Sequence, residues 1–111
     1  MSNTEYCLII TTTDDLKIAN DIISYLLKNN HAACVQIDEV SSWFCWGKKL
    51  CQSNEFRLMI KTLSSKYADV ETIIVKYHNY NVPEIIKLDI TSGLPQYLNW
   101  VKGSANTLND I

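Results

Sequence analysis

The residues best able to hold a metal or attack a substrate in this 111-residue chain are two histidines and four cysteines. His78 is the strongest metal candidate, because a neutral imidazole suits Cu(II) or Zn(II). One histidine is not a site. It needs convergent donors such as Glu84, a nearby cysteine or the same histidine of a second subunit. The plain alternative is a histidine at a helix C-terminus, whose charged form the helix dipole favours. His31, at the end of the first helix, reads as a solvent-facing cap residue. Cys7, Cys34, Cys45 and Cys51 form no C-x-x-C pair, and two lie in probable buried strands, so they read as reduced, partly buried thiols. Cys45 and Cys51 flank a possible turn and leave a hairpin cross-link conceivable. No Ser-His-Asp or Cys-His arrangement emerges from the spacing, and no catalytic residue is assigned.

Composition narrows the classes further. Hydrophobic residues make up 47% and charged residues 20%, the balance of one globular domain. A net charge of −2 argues against nucleic acid, whose ligands carry a basic excess, and against a polybasic membrane anchor. No apolar run reaches the roughly 20 residues of a membrane span. The segment MSNTEYCLII has no basic stretch before its short apolar run, so the expected compartment is the cytosol.

These residues are carried by a regular succession of elements. Residues 6–12 are apolar and β-branched and predict a central strand. Thr13 and Asp14 offer an N-cap to a helix carrying Leu16, Ala19, Ile23, Leu26 and Leu27, which should stop at Asn29-Asn30 because asparagine tolerates the left-handed cap. Residues 32–46 and 50–62 read as two strands joined by a turn at Gly47-Lys48-Lys49, where the lysines are simply solvated. Val35 and Ile37 share one face, while Val40, Ser42, Phe44 and Trp46 share the opposite one. A bulge near Asp38-Glu39 would reconcile them. Phe56, Leu58 and Ile60 alternate with Arg57, Met59 and Lys61.

Ser64 or Ser65 is expected to cap a second helix with the stripe Tyr67, Val70, Ile74 and Tyr77. Pro83 opens a last strand, Pro95 starts a short helix, and the chain after Gly103 should fray. The order β-α-β-β-α-β is the ferredoxin-like α+β pattern, two helices on one face of an antiparallel sheet, in a single domain over residues 1–111.

That topology is shared by acylphosphatases and RNA-recognition modules, and the residues speak against both. Thr11-Thr12-Thr13-Asp14-Asp15 supplies no arginine to cradle an anion. The outward positions of the third strand are Arg57, Met59 and Lys61 rather than base-stacking aromatics.

The central hairpin is too long for its domain. Arms of about 14 residues extend about 45 Å, whereas a globule of this size measures about 35 Å across. The hairpin should project, with Trp43, Phe44 and Trp46 at its tip. A projecting aromatic edge is an aggregation hazard unless paired, which points to a closed symmetric oligomer.

The chain resembles the CutA family of divalent-cation tolerance proteins over about residues 6–103. The resemblance rests on AACV at 32–35, SSWFCWGKK at 41–49, Glu55 followed by LMIKT at 58–62, HNYNVPEII at 78–86 and SGLPQYLNW at 92–100. It implies a ferredoxin-like fold and a homotrimer built by the hairpins. It further implies a non-enzymatic role in copper or other divalent-metal tolerance, with Cu(II) or another divalent metal as ligand but no obligatory cofactor. His78 and Glu84 are the implied metal residues. An intersubunit cleft is implied at Trp46, Lys49, Glu55, Lys61, Tyr80, Glu84 and Trp100, whose carboxylates, ammonium groups, phenol and indoles suit a small polar ligand. The alternative role is a PII-like signalling or anchoring trimer with a protein partner. The chain departs from the family where its H-P-Y-E-x-P-E motif reads His78-Asn79-Tyr80-Asn81-Val82-Pro83-Glu84. It departs again where copper-linked bacterial members carry a cysteine and a second histidine, here Thr11 and Tyr77.

Overall fold

The fold, seen in a computed structural model, is described for residues 4–106. Its elements are β1 (Tyr6–Thr13), α1 (Leu16–Lys28), β2 (Cys34–Trp46), β3 (Lys49–Leu63), a 3-10 turn (Ser64–Lys66), α2 (Tyr67–Tyr77), β4 (Ile85–Ile90) and α3 (Pro95–Asn106). The four strands form one antiparallel sheet in the order β2-β3-β1-β4. This is the expected ferredoxin-like α+β fold with a long central hairpin and an added C-terminal helix. Among the described residues no helix is long and apolar enough to cross a membrane.

The pleat decides which face is covered. Register places Cys7, Ile9 and Thr11 of β1 on the same face as Leu58, Ile60 and Thr62 of β3. On that face lie Ala19, Ile22 and Leu26 of α1 and Val70, Ile73 and Ile74 of α2, completing one buried core. The buried row of α1 is therefore 19-22-26: Ala19 and Leu26 are buried as expected, Ile22 joins them, and Leu16 and Leu27 are exposed. Ile22 was hidden in the sequence because 16, 19, 23 and 27 fit the helical period equally well.

The helix ends follow from local hydrogen bonds. Asp15, one residue beyond the expected cap, accepts from the amides of Lys17 and Ile18, while Thr13 Oγ1 accepts from the Asp15 amide. At the other end Asn30 takes φ 58°, the left-handed conformation its side chain tolerates. His31 then half-buries its ring parallel to Tyr25, at 6.3 Å between centroids, instead of facing solvent. Neither Ser64 nor Ser65 caps α2, because the chain enters that helix through the 3-10 turn. Helix α3 runs past Gly103, held by the buried Val101 and Ala105.

No bulge interrupts the hairpin. The pairing runs unbroken from Cys34↔Lys61 through Asp38↔Arg57 to Trp46↔Lys49. The apolar pattern changes face because the covering changes face: Val35 and Ile37 look toward the helices, Val40 and Phe44 away from them. The turn tightens to Gly47-Lys48, with Gly47 at φ 66°. Phe44 opposes Cys51 and Cys45 opposes Leu50, so the two thiols point to opposite faces, and all four cysteines are free. The molecule measures 48 × 32 × 21 Å with a radius of gyration of 15.0 Å, against about 13 Å for a rounded chain of this length. The excess is the projecting hairpin.

Candidate functional site

The segment between α2 and β4 folds back over the end of β1 and is tied there by side chains. His78 Nε2 lies 2.7 Å from the carbonyl oxygen of Thr12, and His78 Nδ1 accepts from the Tyr80 amide at 3.0 Å. Thr13 Oγ1 donates to Asn79 Oδ1 at 2.8 Å, and Asn79 Nδ2 donates to Asp14 at 2.8 Å. Asn79 stands where the family motif has proline, and it uses the amide that proline lacks to bind both residues at the strand end.

This latch delivers Tyr80 to Glu55 on β3. Tyr80 Oη donates to Glu55 Oε2 at 2.8 Å, and Ser42 Oγ on β2 donates to Glu55 Oε1 at 2.6 Å. Glu55 is only 9% exposed, and these two neutral donors satisfy its oxygens. Burial, reinforced by donation to Glu55, raises the Tyr80 pKa well above the ordinary tyrosine value and keeps the phenol protonated. Thr12, Ser42, Ser53, Glu55, Tyr80 and Glu84 line a groove of about 610 Å3. Its remaining lining is Trp43, Phe44 and Val82. Thr12 Oγ1 makes a long contact, 3.5 Å, to Glu84 Oε1.

The predicted cleft residues fall into three places in one chain. Glu55, Tyr80 and Glu84 share the groove. Trp46 pairs with Lys49 at the hairpin tip. Lys61 reaches the α3 edge, where its Nζ is 3.4 Å from Tyr97 Oη and 5.5 Å from that ring's centroid, with Tyr97 stacked on Trp100. Lys49 and Lys61 lie on the face of Glu55, each six residues away along β3, hence about 20 Å on either side. Within one chain the three groups stay apart.

His78 and Glu84, the predicted metal pair, do not by themselves make up a metal site. Both imidazole nitrogens are engaged in the latch, so ligation would release either Thr12 or Tyr80. Among the described residues no group of three His, Cys, Asp or Glu side chains is placed to hold an ion. Thr11, fully buried, leaves its hydroxyl without a partner in the core, where it can approach no such group. Thr12, Ser42, Ser53 and Val82 line the groove without having been singled out from the sequence. Ser42 and Ser53 are signalled only by register, since they are cross-strand partners one pleat beyond Glu55.

A ferredoxin-like domain with an overlong hairpin and a polar groove beneath a motif loop defines a class of small hairpin-extended proteins. The family model for CutA1 divalent ion tolerance protein matches residues 7–104, and the chain belongs to that family. It is 36% identical over 93 residues to the divalent-cation tolerance protein CutA of Archaeoglobus fulgidus, covering 84% of this chain and 91% of the relative. It is 31% identical over 104 residues to CutA of Escherichia coli, covering 93% of each. Among solved structures, CutA1 of the psychrotrophic bacterium Shewanella sp. SIB1 superposes with a TM-score of 0.90 at 36% identity, covering 96% of this chain and all of that one. The Archaeoglobus protein, described as a periplasmic divalent cation tolerance protein, superposes with a TM-score of 0.86 at 33% identity, covering 91% and 99%.

Proposed function

We propose that this chain acts as a homotrimeric, non-catalytic divalent-cation tolerance protein of the cytosol. In this reading the hairpins build the trimer, and the groove at Glu55, Tyr80 and Glu84 holds a positively charged ligand, either a divalent metal ion or a small molecule. One observation carries the reading: the hairpin leaves the domain with its apolar side chains uncovered. Trp43 is 67% exposed, Trp46 78% and Leu50 68%, and β2 ends the sheet as an unpaired edge strand. On the face away from α1 and α2, Ile86 and Leu88 are also left about half exposed. A second copy laid along this surface would bury both and close the groove's open side. The four free thiols favour a reducing compartment.

Native mass spectrometry of the purified protein across a Cu(II) titration tests both parts, with His78→Ala and Glu84→Gln as comparisons. The expected species is a trimer; copper uptake reduced in Glu84→Gln would make the ligand a metal, and a trimer that takes up no copper would make it a small molecule. A monomer at all concentrations would refute the assembly. A trimer whose uptake ignores both substitutions would move the metal elsewhere.

A further inference from the structure

The segment between α2 and β4 folds over the end of β1 without joining the sheet. Among the described residues, no backbone–backbone hydrogen bond is made by residues 79–83, and pairing with β1 resumes only at Ile85. Side chains alone hold the segment down, and three consecutive residues supply the ties. The His78 ring bridges the Thr12 carbonyl and the Tyr80 amide. The Asn79 amide group joins Thr13 to Asp14. The Tyr80 hydroxyl reaches Glu55. These ties act in series: the first two fix the turn that aims the third, so a break in one loosens the next.

Little apolar burial backs them. Asn79, Asn81 and Glu84 are exposed, Val82 is 87% exposed, and only Tyr80 and Pro83 are half-buried. Water competes for each exposed polar tie, and a segment with few buried contacts and no ladder opens far more readily than a core strand. Beneath it lies Glu55, only 9% exposed. Its other donor, Ser42, belongs to β2 and stays in place when the segment lifts. Lifting removes Tyr80 and admits water to a carboxylate that is otherwise closed.

We infer that residues 78–84 are a strap that closes over Glu55 and opens as one unit, with Asn79 as its clasp. Proline, which the family motif has in this place, could make neither of the Asn79 bonds. The strap controls access to the groove proposed above and rests on that reading for its use, while its motion is measured with no ligand present.

The test is nitrogen-15 relaxation dispersion and amide exchange on the assembled protein. Residues 78–84 and Thr12 to Asp14 should show dispersion that fits one exchange rate, while Phe56 to Leu63 stay flat. The amide at position 80 reports opening, because its bond to His78 needs the closed strap. Asn79→Ala should speed its exchange about tenfold and leave the core amides of β1 and β3 unchanged. Tyr80→Phe cuts the far end and should enlarge the open fraction seen at Asn79 at least threefold. A flat profile over 78–84, with position 80 exchanging no faster than the core, would overturn the opening. Separate rates along the segment would overturn the single unit. Unchanged exchange at position 80 in Asn79→Ala, or core amides accelerated by the same factor, would overturn the clasp. A strap that opens as described, on a trimer whose copper uptake ignores both His78→Ala and Glu84→Gln, would uphold the strap and overturn its use in metal binding alone.

Discussion

The two ends of β3 live under different rules. From Phe56 to Leu63 the strand lies in the middle of the sheet, and its inward side chains Leu58, Ile60 and Thr62 are sealed beneath α1 and α2. From Lys49 to Glu55 the same strand has only β2 beside it, and its apolar neighbours are open to solvent. The first region is explained by contacts within the chain. The second has almost no contacts of that kind, although it is just as regular in register. Local regularity therefore reports pairing, while burial reports what the pair is for. In the far half of the hairpin, the proposed purpose is contact with another copy of the chain.

The contrast can be broken at several points. Leu58→Ala, in the sealed half, should cost about 2–5 kcal/mol in urea unfolding, since it empties a fully buried site. At the junction of the halves, Tyr80→Phe removes one of two donors to a buried carboxylate and should cost about 1–3 kcal/mol. It also carries a pH signature. The folded-state pKa of Tyr80 lies above its unfolded value, chiefly through burial and then through donation to Glu55. The associated stability is complete below about pH 10 and is lost as pH rises through the folded value. Wild type should therefore lose more stability than Tyr80→Phe in alkali, and equal losses would show the phenol to be uncoupled. Asp15→Ala, which removes the α1 cap, should cost about 1 kcal/mol by the same unfolding assay. The smallest effect concerns the thiols. Burial raises the Cys7 pKa, so Cys7 should react with a disulfide reagent only on unfolding, whereas exposed Cys45 should react at once in dissociated protein.

The architecture was legible because it depends on periodicity that the chain states openly. The alternation of Phe56, Leu58 and Ile60, the apolar run of β1 and the punctuation at Gly47, Pro83 and Pro95 each correspond to an observed element. Errors arose where two local solutions satisfied the same pattern. The change of face at Val40 looked like a bulge, since a strand that is covered first on one side and then on the other shows the same break in parity. The cap moved from Thr13 or Asp14 to Asp15 because three adjacent polar residues offer equivalent oxygens, and only backbone geometry chooses among them. Glu55, Tyr80 and Glu84 were legible as types, through resemblance, and one chain brings them together. The latch was not: that His78 would spend both nitrogens on Thr12 and Tyr80 depends on how the 78–84 segment folds back, which no spacing encodes. His78 does stand at the C-cap of α2, as the helix-terminus reading expects, but its ring is spent on the latch.

The hairpin's proposed role in assembly is measured most directly by sedimentation equilibrium of the wild-type protein beside Phe44→Ser/Trp46→Ser. Wild type should sediment as a trimer at micromolar concentration. The double variant should dissociate while keeping the circular dichroism and unfolding of its helix-covered core. A wild-type monomer, or a double variant that remains trimeric, would contradict the account.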